Sequence, residues 1–144
     1  MPGQQVGKVK PRLILLQQGF TLHRFDADTR IPSPVLSLQF TFIVRSRDEL
    51  SVLVPESVAL DSSRMETGWR GMMVEGPLEF EEVGVLAGLS CALADAGIAI
   101  LAMSSFETDY LFIKSGQLDR GISALAQAGY TCRTAVTGEA GKHV

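Results

Sequence analysis

Residues 69–136 decide the fold, and they read WRGMMVEGPLEFEEVGVLAGLSCALADAGIAILAMSSFETDYLFIKSGQLDRGISALAQAGYTCRTAV. Apolar residues at helical spacing predict one helix over Phe80–Ala96, ended by Gly97, and a second over Leu118–Ala126, ended by Gly129. Short apolar runs between turn residues predict the strands Trp69–Glu75, Ile98–Met103, Tyr110–Ile113 and Tyr130–Val136. The resulting order, β-α-β-β-α-β, is that of a ferredoxin-like unit.

The first half of the chain shows strand patterns without a clear helix. Leu13–Leu16 and Phe20–Phe25 predict a pair of strands broken near Gly19. Asp26–Pro34 is rich in turn residues, and Leu36–Val44 alternates apolar and polar positions, which predicts another strand. Leu50–Val54 predicts the returning strand, and we interpret Glu56–Gly68 as a linker with one helical turn at most.

A weak internal repeat links the two halves. Phe40–Val54 superposes on Ile100–Lys114, each as strand, polar turn and strand, so that Leu50 falls on Tyr110. We interpret this as two copies of one module, with chance similarity of two hairpins as the alternative. The expected fold is α+β: two ferredoxin-like (βαββαβ) modules packed together, the first without a full first helix. The predicted division is a tail at 1–12, modules at 13–66 and 67–137, and a tail at 138–144.

Composition narrows the class of protein. The chain has 144 residues, of which 46% are hydrophobic and 20% charged, as a packed globular protein requires. A net charge of −3 gives no general attraction to nucleic acid or anionic lipid. Cys91 and Cys132 form no CxxC motif, and Cys91 falls in an apolar helical run, which favours a buried thiol in a reducing compartment. With no signal-peptide or membrane-spanning segment, we expect a cytoplasmic protein.

Catalytic and metal-binding patterns are scarce. His23 lies within a predicted strand and His143 in the tail, so the two histidines do not have the spacing of metal ligands. The sequence contains no nucleophile elbow, Walker loop or dinucleotide-binding glycine motif. We therefore expect no enzyme, no metal and no cofactor. A small isomerase using Glu82 and Asp109 is the remaining enzymatic alternative.

Two polar segments follow neighbouring strands. Gly76–Leu86 (GPLEFEEVGVL) joins a strand to a helix start, where free N–H groups and a glycine suit a carboxylate. Ser104–Tyr110 (SSFETDY) is a turn with acids and hydroxyls that suit an ammonium or guanidinium group. Together they would suit an amino-acid zwitterion, and we expect them to meet across an interface between modules. The alternative is structural: the acids stabilise a helix start and a turn, and Gly84 relieves packing.

The same residues carry a resemblance to a known family. Trp69–Tyr110 resembles the small tandem ACT-domain proteins, which include stand-alone bacterial members and a cytosolic arginine sensor. The pairing of GPLEFEEVGVLA with SSFETDY is fairly specific, and the likeness is strong over Trp69–Ala128 and fainter over Leu13–Val54. It implies two ACT-type modules that bind an amino acid and regulate a partner.

The resemblance also implies a set of ligand-binding residues. Glu82 matches an acid at the helix start, Gly84, Val85 and Leu86 match backbone contacts, Ser105 and Phe106 match residues of the turn, and Asp109 matches the acid that holds a cationic side chain. Thr108 stands where the arginine sensor has an aromatic residue, so a cationic ligand is not assured. The chain also holds half as many modules as that sensor, so some contacts would come from a second copy.

The function expected from these observations is that of a small-molecule (amino-acid) binding regulatory protein acting in trans. A homodimer is expected, because association would cover exposed strand edges. The main alternative is a ligand-free interaction or oligomerisation module. An RNA-recognition domain shares the order of elements, but the Tyr110–Lys114 strand lacks the basic and aromatic residues that such a domain uses.

Overall fold

The computed structural model describes residues 10–76 and 82–136, and within them the chain forms one mixed α/β unit. The strands are β1 (Arg12–Phe25), β2 (Phe42–Arg45), β3 (Leu50–Pro55), β4 (Arg64–Val74), β5 (Leu101–Ser104), β6 (Asp109–Lys114) and β7 (Thr131–Thr134). The helices are α1 (Val85–Asp95) and α2 (Leu118–Gln127), and short 3-10 turns occupy Ser33–Ser37 and Ser115–Gln117. No helix in the described part of the chain is both long and apolar enough to cross a bilayer.

The second half follows the predicted order, because its glycines end the helices where the sequence places them. Gly97 and Gly129 both adopt a positive φ, the left-handed conformation that stops a helix and turns the chain into the next strand. Both helices pack on one face of the sheet. Their apolar residues surround a core that includes Leu89, Leu93 and Leu125.

Two predictions within this half are corrected. Helix α1 begins at Val85 rather than at Phe80, and the predicted start falls partly on residues 77–81, which lie outside the described residues. Cys91 is exposed on α1, whereas the apolar run predicted a buried thiol. Small apolar residues occur on every side of α1, so hydropathy alone does not show which side of the helix faces the core.

The first half departs further from prediction. β1 is one continuous strand of 14 residues, not a pair of strands. The irregularity predicted near Gly19 is real, but it is a shift in the pairing of β1 with β4 between Leu15 and Gly19. The alternating stretch Leu36–Val44 is strand only from Phe42, because prolines at positions 32 and 34 favour a 3-10 turn before it.

The predicted linker is correct over residues 56–63, which form neither helix nor strand, and wrong beyond them. Its last residues belong to β4, which begins at Arg64 and runs without interruption to Val74. The division of the chain at residues 66 and 67 stays a prediction, and it would fall within that strand. No α-helix occurs among the described residues of the first half, so a second complete ferredoxin-like module is not confirmed.

The seven strands of the described residues form one sheet, in which six of them follow the order β2-β3-β1-β4-β6-β5. β7 is not beside β4: it pairs in parallel with β1, over Arg12–Leu15. The remainder of that edge of β1, from Phe20 to Phe25, pairs with β3. The last strand of the second half therefore completes the sheet of the first half, and the two halves share one structure.

The two hairpins at the ends of the sheet have the same register. Arg45 pairs with Leu50 in the first hairpin, and Ser104 pairs with Asp109 in the second. Leu50 therefore corresponds to Asp109, and the predicted superposition, which set Leu50 on Tyr110, is wrong by one position. Such a slip exchanges the faces of a strand. In the observed correspondence Leu53 matches Phe112, and both side chains face the same core.

The sheet curls until its two ends approach each other. Phe42 on β2 lies four strands from β6, and a flat sheet would separate them by about 19 Å. The ring of Phe42 is nevertheless 5.7 Å from that of Phe112 and 4.9 Å from that of Tyr110. The enclosed face holds an aromatic core, while loops rather than helices cover the outer face of the first half through Val35, Leu38 and Leu60.

Candidate functional site

A cavity of about 390 Å³ opens at one end of the second half, between the start of α1 and the turn that joins β5 to β6. The structure brings together all of the predicted ligand-binding residues around it: Glu82, Gly84, Val85, Leu86, Ser105, Phe106, Thr108 and Asp109. Both segments belong to the second half, so they meet without an interface between modules. Of the wider predicted segment, residues 77–81, which include Glu79 and Glu81, lie outside the described residues.

The residues at the start of α1 form one wall of the cavity. Gly84 precedes α1 with a φ of 85°, a conformation that side chains with a Cβ rarely adopt, and its carbonyl accepts the N–H of Gly88 at 2.9 Å. The prediction placed Gly84 inside the helix, whereas it is the residue that turns the chain into it. The first N–H groups of a helix have no acceptor within it. Val85, Leu86 and Ala87, the first residues of α1, line this wall.

The opposite wall is a tight turn held by its own side chains. The N–H of Ser105 donates to the carbonyl of Thr108 at 2.9 Å, and the N–H of Thr108 donates to Ser105 Oγ at 3.3 Å. Ser104 Oγ donates to Asp109 Oδ1 at 2.6 Å and so fixes one oxygen of that carboxylate. The turn therefore holds Asp109 beside the cavity with its carboxylate anchored at one oxygen.

Thr108 has a structural contact in addition to its place in the lining. Its side chain is only 3% exposed, and its hydroxyl donates to the carbonyl of Val74 at 2.6 Å. This bond fixes the turn to the end of β4. The hydroxyl of Thr108 is therefore engaged by Val74 rather than available to a ligand.

Tyr110 stabilises the β5–β6 turn through a side-chain hydrogen bond with Ser105. Burial raises the pKa of its phenol, the charge of Glu107 raises it further, and a side-chain hydrogen bond with Ser105 opposes both. The phenol therefore stays neutral at physiological pH. A neutral hydroxyl can bond to Ser105 without adding charge to the site.

Three lining residues were missed by the sequence: Ala87, Ser104 and Glu107. Ser104 and Glu107 fall inside the polar turn that had been identified, and Ala87 lies in the first turn of the helix. Each was a neighbour of a predicted residue. The sequence alone does not show in which direction each of these three side chains points.

The charge of the lining has one sign. It includes the carboxylates of Glu82, Glu107 and Asp109, and none of the described lining residues is basic. Among residues 10–76 and 82–136, no group of three histidine, cysteine or acidic side chains is arranged to hold a metal ion. The cavity therefore combines a helix start, which attracts a carboxylate, with acids that attract a cation.

The part of the chain that contains the cavity matches the model of a known protein family. Residues 64–127, from the start of β4 to the end of α2, match the model of the ACT domain. The match includes every lining residue of the cavity and supports an ACT-domain protein. No curated protein matches the chain.

Solved structures extend the likeness to the whole fold. A crystal structure of an Agobacterium tumefaciens protein is 28% identical, with a TM-score of 0.81 over 88% of this chain and 95% of that one. Aspartate kinase from Synechocystis has a TM-score of 0.65 at 14% identity, over 92% of this chain and 29% of that one. The ligand-free regulatory subunit of aspartate kinase from Thermus thermophilus has a TM-score of 0.54 at 12% identity, over 84% and 95% of the two chains.

Proposed function

We propose that this chain is a regulatory protein that binds an amino acid in the cavity between α1 and the β5–β6 turn. The observation that carries the proposal is the meeting of a helix start and three carboxylates around one cavity of about 390 Å³. That volume lies within the range of ~300–1000 Å³ common for small-molecule pockets. The match of residues 64–127 to the ACT domain supports the same location.

Each wall would take one end of the ligand. The N–H groups of Val85 and Leu86 would bind its carboxylate, and Gly84 would allow a close approach because it has no side chain. Asp109 would accept the ammonium group. Ser105 and Thr108 would fix the turn through backbone contacts, and Phe106 would cover the apolar part of the ligand.

The acidic lining favours an amino acid with a positively charged side chain. Glu82 and Glu107 add two carboxylates beyond the one that an ammonium group requires. A lysine-like or arginine-like side chain would be attracted to these carboxylates, whereas an acidic side chain would be repelled by them.

Regulation would act on a separate protein. The similarity to a regulatory subunit of aspartate kinase supports this role. A bound ligand can shift an equilibrium between two states only by its difference in affinity for them. Since the cavity lies between α1 and the β5–β6 turn, a bound ligand would tie these two elements together.

The test is a thermal-shift screen against the twenty standard amino acids, using the wild-type protein and the variants Asp109→Asn and Asp48→Asn. A ligand present at ~100 times its dissociation constant adds about 2.7 kcal/mol, a rise of several degrees in Tm for a domain of this size. We expect one or more amino acids, cationic ones foremost, to raise the Tm of the wild type. Asp109→Asn should abolish this rise.

Asp48→Asn is the matched control, because Asp48 is an exposed acid in the corresponding turn of the first half. It should respond as the wild type does. A folded wild-type protein whose Tm no amino acid changes would contradict the proposal.

One observation favours a second candidate, a ligand-free interaction module. Phe106 in the cavity lining is 79% exposed, and Val83, next in sequence to the lining residues Glu82 and Gly84, is 83% exposed. A contiguous exposed apolar patch formed by such side chains would mark a protein contact. A flat screen would favour this candidate.

A further inference from the structure

The first half contains a counterpart of the β5–β6 turn, and its position follows from the shared register of the two hairpins. In that register the turn Ser46–Glu49 corresponds to Ser105–Thr108. The N–H of Ser46 donates to the carbonyl of Glu49 at 2.9 Å, and the N–H of Glu49 donates to Ser46 Oγ at 3.3 Å. The second turn makes the same two bonds with the same lengths.

The difference between the two turns lies one residue before them. Ser104 in the second half corresponds to Arg45 in the first. Ser104 is small and lines the open cavity. Arg45 is instead a long cationic side chain whose guanidinium group reaches the loop after β1.

The guanidinium of Arg45 ends on the backbone of the loop that follows β1. Its Nη2 donates to the carbonyl of Thr29 at 2.7 Å, and its Nη1 donates to the carbonyl of Ala27. This loop follows β1 as the cavity-lining residues Glu82 and Gly84 follow β4, and β1 and β4 occupy equivalent central places in the sheet. Two carbonyls placed for one guanidinium form a compact cation site.

We propose that the first half retains a guanidinium-binding site, formed by the carbonyls of Ala27 and Thr29, and that the chain fills this site with its own Arg45. The ligand class of the site is an alkylguanidinium cation. Asp26 and Asp28 flank Ala27 and add negative charge to the loop. The wild-type chain then offers one open cavity, in the second half, and one site occupied by its own side chain.

The test removes the internal guanidinium and supplies a free one. In Arg45→Ala, methylguanidinium at millimolar concentration should produce saturable shifts in the amide resonances of Ala27, Asp28 and Thr29. It should also restore part of any loss in Tm. The wild type should show no saturable shift there, because Arg45 already occupies the carbonyls.

Arg47→Ala is the matched control. Arg47 lies two residues away with its side chain 93% exposed, and it contacts Asp48 rather than the loop after β1. It loses the same charge but should show no saturable shift at residues 27–29. Tetramethylammonium, a cation without N–H donors, should also fail to shift these resonances in Arg45→Ala.

The proposal is overturned if Arg45→Ala is folded and methylguanidinium causes no saturable shift at residues 27–29. Equal shifts in the wild type or in Arg47→Ala would overturn it as well. Should Arg45→Ala fail to fold, Arg45→Gln keeps much of the side-chain length without the cation and receives the same titration. This readout does not depend on amino-acid binding near Asp109, so the two proposals can fail separately.

Discussion

Thr108 and Asp109 are neighbours in one turn, yet the structure gives their side chains different surroundings. The Thr108 hydroxyl is buried against the carbonyl of Val74, while the Asp109 carboxylate lies beside the cavity and accepts a bond from Ser104. Successive residues at the start of a strand point to opposite faces. Both residues were predicted as part of the site because they are neighbours in the same turn. The backbone conformation determines which of the two side chains faces the cavity.

His23 is a residue whose ionisation state affects the stability of the fold. Its side chain is 2% exposed, its Nδ1 bonds to Ser62 Oγ at 2.8 Å, and its buried Nε2 has no partner among the described residues. Burial lowers the pKa of the imidazole below its usual 6.5, so the folded protein favours the neutral ring.

We predict that the free energy of unfolding falls as the pH drops below about 6.5, where the unfolded chain binds a proton that the folded chain resists. The fall should continue until the pH reaches the lowered pKa of the folded state. Urea denaturation between pH 7.5 and 5 should show a steeper loss for the wild type than for His23→Gln. Identical slopes in the two proteins would contradict the assignment.

At the scale of elements, β2 is the clearest case in which tertiary structure overrode periodicity. The sequence alternates over Leu36–Val44, but only the last three of these residues are strand. The preceding segment instead places Val35 in the core that covers the outer face of the first half, and Phe40 in the aromatic core on the enclosed face. The result is a short edge strand with exposed apolar side chains.

We propose that this edge joins a second copy of the chain. β2 pairs only with β3 among the described strands, and Val44 is 56% exposed on it. An exposed apolar edge tends to pair with another strand, and two-fold pairing of identical edges forms a closed dimer. We predict a solution mass near twice 15.5 kDa for the wild type and near the monomer value for Val44→Lys.

Sedimentation equilibrium would measure both masses. Met65→Lys is the control, because Met65 is also exposed but lies on β4, away from the β2 edge, where it pairs with His23 of β1. It should remain dimeric. A wild-type protein that is monomeric, or a Val44→Lys variant that is still dimeric, would contradict the proposed interface.

At the scale of the whole molecule, curling of the sheet holds the two halves together. Phe42 reaches the rings of Tyr110 and Phe112 from the opposite end of the sheet, and these edge-to-face contacts close the aromatic core. β7 adds to this closure by pairing with β1. Neither half can therefore reach this arrangement alone.

We predict that Phe42→Ala lowers the free energy of unfolding by about 2 kcal/mol, less than for a fully buried phenylalanine because Phe42 is half-buried. Ile43→Ala, on the outer face of the same strand, should cost under about 1 kcal/mol. Urea denaturation monitored by circular dichroism would compare the two variants. Equal losses would indicate that closure by Phe42 adds nothing to the fold.

The local elements of the second half and most of the cavity lining follow from the sequence alone. Apolar spacing, with Gly97 and Gly129 as stops, specified the helices of the second half, because helical periodicity and a positive φ are properties of a short stretch of chain. The same holds for the turn around Asp109 and the segment around Gly84, which together supply every predicted residue of the cavity.

The arrangement of these strands, helices and turns depends on the tertiary structure. The pairing of β7 with β1, the correspondence of Leu50 with Asp109 between the hairpins, the loop cover of the first half and the exposure of Cys91 each depend on partners distant in sequence. Several different strand pairings would have similar local energies. The burial of a common core, in which Phe42 meets Phe112 across the curled sheet, selects one of them.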